Sequence, residues 1–364
     1  MMPRLIACLV LCVSSVTYAA QDDTVLGKKC GEWLTILKEH KETKYRRAAL
    51  IALEVFGPKT RGVLAGVEDA LEKDTEPEIR REAAMLLGRM AADAKEAVPH
   101  LAEALKKDKV DLVREAAALA LGGKLNDFAH EQVLVLGAAL KDSHAGTRAA
   151  AAAALSNLGE KARLALPMLV EVVKDKKGDR VPRLYAVQIV SRLQADQAET
   201  GALLAAVAND SEAAPALRIA AIEGIGRLEK ITKTELDALG QSLQHKQVDM
   251  RRAAATVLAK LGEQAAPLWT LAQARLTDED NTVRYQLIRL AGALARDQKD
   301  AVTSLAERSL KDAHVENRLA AIGELGELGP VAAAAGDTLA SIAQQDARAA
   351  LRDAAAAALK KVRP

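Results

Sequence analysis

Asp108-Lys109-Val110-Asp111-Leu112-Val113-Arg114-Glu115-Ala116-Ala117-Ala118-Leu119-Ala120-Leu121-Gly122 is one copy of a pattern, Asp-x5-Arg-x2-Ala-x3-Leu, that returns along the chain. Its arginine recurs as Arg46, Arg80, Arg114, Arg148, Arg183, Arg218, Arg251, Arg284, Arg318 and Arg352, at spacings of 34, 34, 34, 35, 35, 33, 33, 34 and 34 residues. A single closed globule has no reason to keep that period. Units of this length bury an apolar face only against their neighbours, so the expected fold is all-α, a right-handed α-α superhelix built as a solenoid of about ten helical hairpins. The spacing puts the repeats near residues 27–59, 60–93, 94–127, 128–161, 162–196, 197–231, 232–264, 265–297, 298–331 and 332–364, with no Pro/Gly/Ser-rich linker between them.

Within the third copy, Val98, Leu101 and Leu105 fall on one side of a first helix, helix A, and Pro99 is tolerated in its first turn. A polar turn, Lys106 to Lys109, leads to helix B, Val110 to Gly122, where Val113, Ala117 and Leu121 form one stripe. Three residues after the repeat arginine the chain carries Ala in every copy except Leu287, which predicts close helix approach. Seven after it come larger residues such as Leu53, Leu87, Leu155, Ile225 and Leu325, so small and large alternate as close packing requires. Glycines eleven after the arginine (Gly57, Gly159, Gly262, Gly329) suit helix C-caps, whereas those eight after it (Gly88, Gly122, Gly226, Gly292, Gly326) suit close approach by another helix.

Six residues before the arginine stand Asp74, Asp108, Asp142, Asp278, Asp312 and Asp346, with Asp175 and Asp210 shifted by two where the turn is longer. Each carboxylate is expected at the entrance to helix B, capping exposed N–H groups and within reach of a guanidinium. Asp74, Arg80, Asp108, Arg114, Asp142, Arg148, Asp278, Arg284, Asp312, Arg318, Asp346 and Arg352 are therefore read as a structural ladder. A catalytic dyad would not be repeated ten times.

The leader is different in kind. Arg4, an apolar stretch from Leu5 to Val16 and the small-x-small site Thr17-Tyr18-Ala19 read as a signal peptide over residues 1–20, implying export to the periplasm or beyond the cell. Leu5-Ile6-Ala7-Cys8 leaves too little apolar core ahead of the cysteine for a lipoprotein signal, and no other segment predicts a membrane span. Cleavage would leave Cys30 alone, unable to form an internal disulfide and expected to sit beside Trp33 as a small hydrophobe. Net charge is +2, or +1 without Arg4, so no bulk field points to nucleic acid. Half the residues are hydrophobic and 2% aromatic, a composition for closely packed Ala and Leu helices.

Helix pairs with a turn Asp, an Arg six later, then an Ala/Leu stripe and Leu-Gly, as in Val113 to Gly122, resemble the HEAT-repeat superfamily in its short form, that of the HEAT-like repeats of phycobilisome lyases. The resemblance runs from about residue 25 to the end and implies a scaffold that binds a protein partner, with no catalytic, cofactor or metal residues and an open oligomeric state. The alternative it carries is a phycobilisome-lyase-like or other cofactor-handling protein, although no tetrapyrrole site is recognisable. Deoxyhypusine hydroxylase, similar in outline, holds iron through several His-Glu pairs; here only His130-Glu131 occurs. HEAT-like DNA glycosylases need a strongly basic groove. Tetratricopeptide and ankyrin repeats are excluded by the scarcity of aromatics and the absence of Thr-Pro-Leu-His.

On helix B the positions one, five and nine after the arginine are left over from packing. The ninth carries Arg89, Arg192, Arg227 and Lys260, a strip that fits either an acidic protein, polysaccharide or lipid headgroup, or simple complementarity to helix C-terminal dipoles. The fifth repeat lengthens its turn over Lys174 to Pro182 and carries Tyr185 where most copies have Ala, marking a tolerated insertion or a contact loop. Trp33, Trp269 and Tyr285 are either interface anchors or core filling.

Overall fold

The computed structural model describes residues 24–90, 96–123, 129–193 and 196–363, with only the backbone of 129–131; the leader lies outside them. The helices form two compact units, residues 1–128 and 129–364. In the first, an antiparallel pair of two-residue strands, β1 (Thr24–Val25) and β2 (Lys28–Lys29), precedes three hairpins: α1 (Cys30–Glu39) with α2 (Thr43–Phe56), α3 (Val63–Lys73) with α4 (Pro77–Met90), and α5 (Ala97–Lys107) with α6 (Asp111–Leu121). The second contains α7 (Ala129–Ala139) with α8 (Ala145–Asn157), α9 (Leu166–Lys174) with α10 (Arg180–Leu193), α11 (Gln197–Asn209) with α12 (Pro215–Ile225), and α13 (Lys233–Leu243) with α14 (Val248–Leu261). It continues with α15 (Trp269–Ala274) and α16 (Asn281–Leu294), α17 (Lys299–Glu307) and α18 (Val315–Leu328), and α19 (Gly336–Gln345) and α20 (Ala349–Val362). Within each unit the second helices pack on one another in sequence order, α2 on α4 on α6, and α8 on α10 on through α20. This is an all-α helical-hairpin solenoid fold.

The recurring stripe makes the core. The residue three after each arginine, from Ala49 to Ala355, is fully buried, and those seven after it are buried as far as Leu325. Leu359, on α20, is half-exposed. Val98, Leu101 and Leu105 are buried from helix A. Gly57, Gly262 and Gly329, immediately after α2, α14 and α18, and Gly159, two residues after the end of α8, adopt φ between +54° and +79°, conformations that favour glycine where the chain leaves a helix. At Gly88 an added Cβ would lie 2.8 Å from Ala120 Cα, so this glycine lets α4 and α6 touch backbone to backbone.

Several expectations change. The strand pair is too short to leave an alternating pattern in the sequence. Its turn, Leu26 and Gly27 at positive φ, is held to α1 by Trp33, whose Nε1 donates to Val25 O at 2.9 Å. Trp33 and Trp269 are buried core residues, not interface anchors, and Tyr285 is half-buried. Cys30 opens α1 only partly buried, and burial raises its thiol pKa. The long fifth turn is shorter than its sequence suggests: Arg180, Val181 and Pro182 already belong to α10, whose first turn accepts proline.

Candidate functional site

Arg46, Arg80 and Arg284 each work between two hairpins. Arg80 Nη1 donates to Asp74 O, six residues back, at 2.9 Å, tying α4 to its own turn. Its Nε and Nη2 donate to Asp108 Oδ2 and Oδ1 of the next hairpin at 2.7 and 2.9 Å, a two-point contact that fixes the spacing of neighbours. Arg46 repeats the arrangement with His40 O and Asp74, and Arg284 with Asp278 O and Asp312. The aspartate does not cap helix B directly. It ends helix A, and its Oδ1 accepts the N–H two residues on, as Asp108 does from Val110 and Asp312 from His314. Those donors, Val110 and His314, are N-cap residues, so the carboxylate sets the entry angle of the following helix.

Burial opposes ionisation of Asp108, but hydrogen bonds from Arg80 and the Val110 N–H outweigh it and hold the carboxyl below its ordinary range. The same balance at Asp312, with Arg284, the His314 N–H and Asn317, brings it to about 2. Asp278 is buried and receives Arg251 Nη2 at 3.1 Å and Arg275 Nη1 at 3.3 Å.

The ladder is uneven. Arg148 donates to Asp142 O at 2.6 Å, but its Nε reaches Asp179 at 2.6 Å instead of Asp175. The two extra turn residues displace Asp175, which accepts Lys177 N–H within its own turn. Arg183 is buried and donates only to Lys176 O and Val173 O, while Asp210 meets Lys176. Arg114, Arg318 and Arg352 each donate to the carbonyl six residues back, of Asp108, Asp312 and Asp346. Arg318 Nε is buried without an acceptor, and the Asp346 carboxylate bonds Arg348 N–H. In the seventh repeat His245 stands where other copies carry the aspartate, six residues before Arg251. Its Nδ1 faces Gln247 N–H at 3.1 Å and its Nε2 faces Arg218 Nη1 at 3.4 Å.

The basic strip is engaged in the stack. Arg89 pairs with Glu54 at 2.6 and 2.9 Å, Arg192 donates to Ser156 O and Oγ, Arg227 to Ser191 Oγ, and Lys260 to Gly226 O at 2.6 Å. Each reaches back 34 to 36 residues to the end of the preceding helix B, so these exposed side chains form a second ladder near helix C-termini. Tyr185 is half-buried on α10.

What sequence reasoning overlooked lies at the fifth position. Met85, Leu112 and Leu119 are exposed on α4 and α6, and Ile51 is half-buried on α2. The signal was present in the register: the fifth residue after the arginine is Ile51, Met85 and Leu119 in the first three copies, and Gln188, Glu223, Thr256 and Arg289 later. Among the described residues no group of three His, Cys, Asp or Glu side chains is placed to hold a metal ion. His130 and Glu131 have side chains outside the described set. No described helix is long and apolar enough to cross a membrane.

No curated protein matches the chain by sequence. Residues 32–122 match the family described as HEAT repeats. An engineered protein of known structure is similar over 92% of this chain and 99% of its own, at 16% identity and a TM-score of 0.58. The karyopherin Kap121p, solved bound to the extreme C-terminus of the phosphatase Cdc14p, is similar over 92% of this chain at 14% identity and a TM-score of 0.60. Importin beta is similar over 91% at 14% identity and a TM-score of 0.59. The chain spans 41% and 50% of the length of these two transport receptors, and the likeness is one of fold. None of these matches singles out the phycobilisome-lyase type. The first three hairpins thus match HEAT repeats by sequence, and the chain as a whole shares the helical-hairpin solenoid fold of these solved structures.

Proposed function

We propose that this chain is an exported, non-enzymatic scaffold that holds a partner protein against the outward face of its second-helix layer, the concave side expected of such a solenoid. The observation that carries the reading is the division of labour on those helices. One face is consumed by the fully buried Ala/Leu stripe and another by arginines bonded to the next turn, while Met85, Leu112 and Leu119 stay exposed with no packing role. Apolar side chains left over from a closely packed stack are the ordinary mark of a protein contact. Two clefts near the turns include ladder residues in their lining, Asp74, Arg80 and Asp108 in one and Asp142, Arg148 and Asp179 in another, and these charges are already engaged in the stack. Kap121p holds a Cdc14p segment in its solved complex, a precedent for a fold of this kind gripping a peptide. Export rests on the leader.

A photoreactive residue placed at Met85, Leu119, Glu223 or Thr256, and at exposed helix-A control sites Leu134 and Gln241, tests the reading in native extract. The expected result is capture of the same protein from helix-B positions and none from the controls. Equal capture from all positions, or a purified protein that carries an absorbing cofactor, would contradict it.

A further inference from the structure

We infer that the outward face of α2, α4 and α6 docks an acidic amphipathic helix, with one apolar side chain set against each of Ile51, Met85 and Leu119 and a carboxylate meeting Arg81. This deepens the protein-binding reading above and rests on it.

The three apolar residues occupy the same register of consecutive helices, five after Arg46, Arg80 and Arg114, so stacking lines them up across the helix layer. Met85 is 44% exposed, Leu119 53% and Leu112 47%, large values for side chains that no fold requirement places there. Leu112 lies seven residues before Leu119, two turns along the same face. Gly88, whose missing Cβ admits the Ala120 backbone, draws α4 and α6 together beside this ridge. At their N-terminal ends a cleft of about 270 Å³ opens between the same two helices, lined by Pro77, Glu78, Arg81, Val110 and Leu112.

Charge selects the occupant. Arg47 is tied to Glu78 at 3.1 Å and to Glu82 at 2.8 Å, and Arg89 is tied to Glu54. Glu115 and Asp111 also have partners. Arg81 has no ion pair among the described residues, and it lines the cleft together with Leu112. A carboxylate brought in by a ligand satisfies that guanidinium. Spacing selects its conformation. Packed helices lie ~8–10 Å apart, and a helix advances about 10.5 Å per seven residues, so a helical ligand crossing α2, α4 and α6 presents heptad-spaced side chains one per ridge residue. The polar residues at the equivalent positions of α10, α12, α14 and α16 confine such a site to the first three hairpins.

The probe is a stapled, fluorescein-labelled helix of about 21 residues, enough for three heptads, with Leu at heptad spacing and Glu beside each Leu, and a control with Lys for every Glu. Anisotropy with the full chain is expected to show saturable binding of the acidic peptide at least about tenfold tighter than of the basic one. Met85→Glu with Leu119→Glu should weaken it by about tenfold or more, and Arg81→Glu should invert the preference toward the Lys peptide. Met85 and Leu119 are exposed and Arg81 is half-buried, so unaltered helical circular dichroism is required of each variant to confirm the fold. No binding of the acidic peptide, equal binding of both peptides, or affinity untouched by either variant overturns the inference. If the peptide fails while photocapture from Glu223 and Thr256 positions stays specific to helix B, the scaffold reading survives and only this site falls.

Discussion

Arg80 and Asp108, 28 residues apart, meet through two parallel hydrogen bonds at 2.7 and 2.9 Å, while the same guanidinium holds the Asp74 carbonyl of its own turn. One side chain thus sets both the shape of a hairpin and its distance to the next. Both partners are largely removed from water, at 14% and 8% side-chain exposure, so breaking one side leaves an uncompensated charge.

Acid should loosen the stack at Asp312. Its folded pKa, about 2, is below its ordinary 3.8, so the carboxylate's contribution is complete above about pH 4 and is lost as pH falls toward 2. With partial screening that amounts to roughly 1–2 kcal/mol. Asp312→Asn should be less stable than the parent at pH 6, by denaturant titration, with the gap shrinking below pH 3; a gap constant with pH would contradict the assignment.

Two helix-B glycines should respond oppositely to alanine. At Gly88 the new Cβ meets the Ala120 backbone, and overpacking of about 1–3 kcal/mol exceeds the gain in helix propensity of up to ~1 kcal/mol. At Gly323 nothing lies within 4 Å, so only the propensity gain remains. Thermal unfolding should show Gly88→Ala lowering Tm and Gly323→Ala raising it; the same sign for both would refute the close approach of α4 and α6.

His245 is a weak rung. A neutral imidazole has one acceptor nitrogen, yet both ring nitrogens face donors, Gln247 N–H and Arg218 Nη1, where an aspartate would satisfy both. Burial, then Arg218, Arg251 and Lys246, hold its pKa below the ordinary value, so its neutral form is favoured on folding and stability is lost as pH falls through that range. His245→Asp should stabilise the chain by about 1–3 kcal/mol at neutral pH. The advantage should widen between pH 7 and 5.5 in parallel urea titrations; a destabilised variant would be incompatible with this account.

The fold was legible because period and packing are the same fact. The Ala three after each arginine and the Leu seven after it are buried wherever a neighbour covers them, and Gly57, Gly159, Gly262 and Gly329 sit at the helix ends that their spacing implied. Site geometry was less legible. Sequence distance shows that an Asp precedes an Arg by six, but not that its carboxylate serves the Arg 28 residues earlier; that follows from the stacking of hairpins. The cations at Arg89, Arg192, Arg227 and Lys260 looked like a free strip for the same reason, since their acceptors lie one repeat back. The apolar ridge was readable, because Ile51, Met85 and Leu119 stand in register, but only a structure separates an exposed Leu119 from a buried Leu121 on the same helix.

The central claim, that an arginine paired with the next turn's aspartate couples one hairpin to the next, is tested most directly by a double-mutant cycle at Arg284 and Asp312. Arg284→Ala alone should cost about 3–5 kcal/mol by leaving a nearly buried carboxylate unpaired, and Asp312→Ala a comparable amount. The pair together should cost clearly less than their sum, with a coupling of about 2 kcal/mol or more in urea unfolding. Additive costs would mean that the two side chains touch without holding the repeats together.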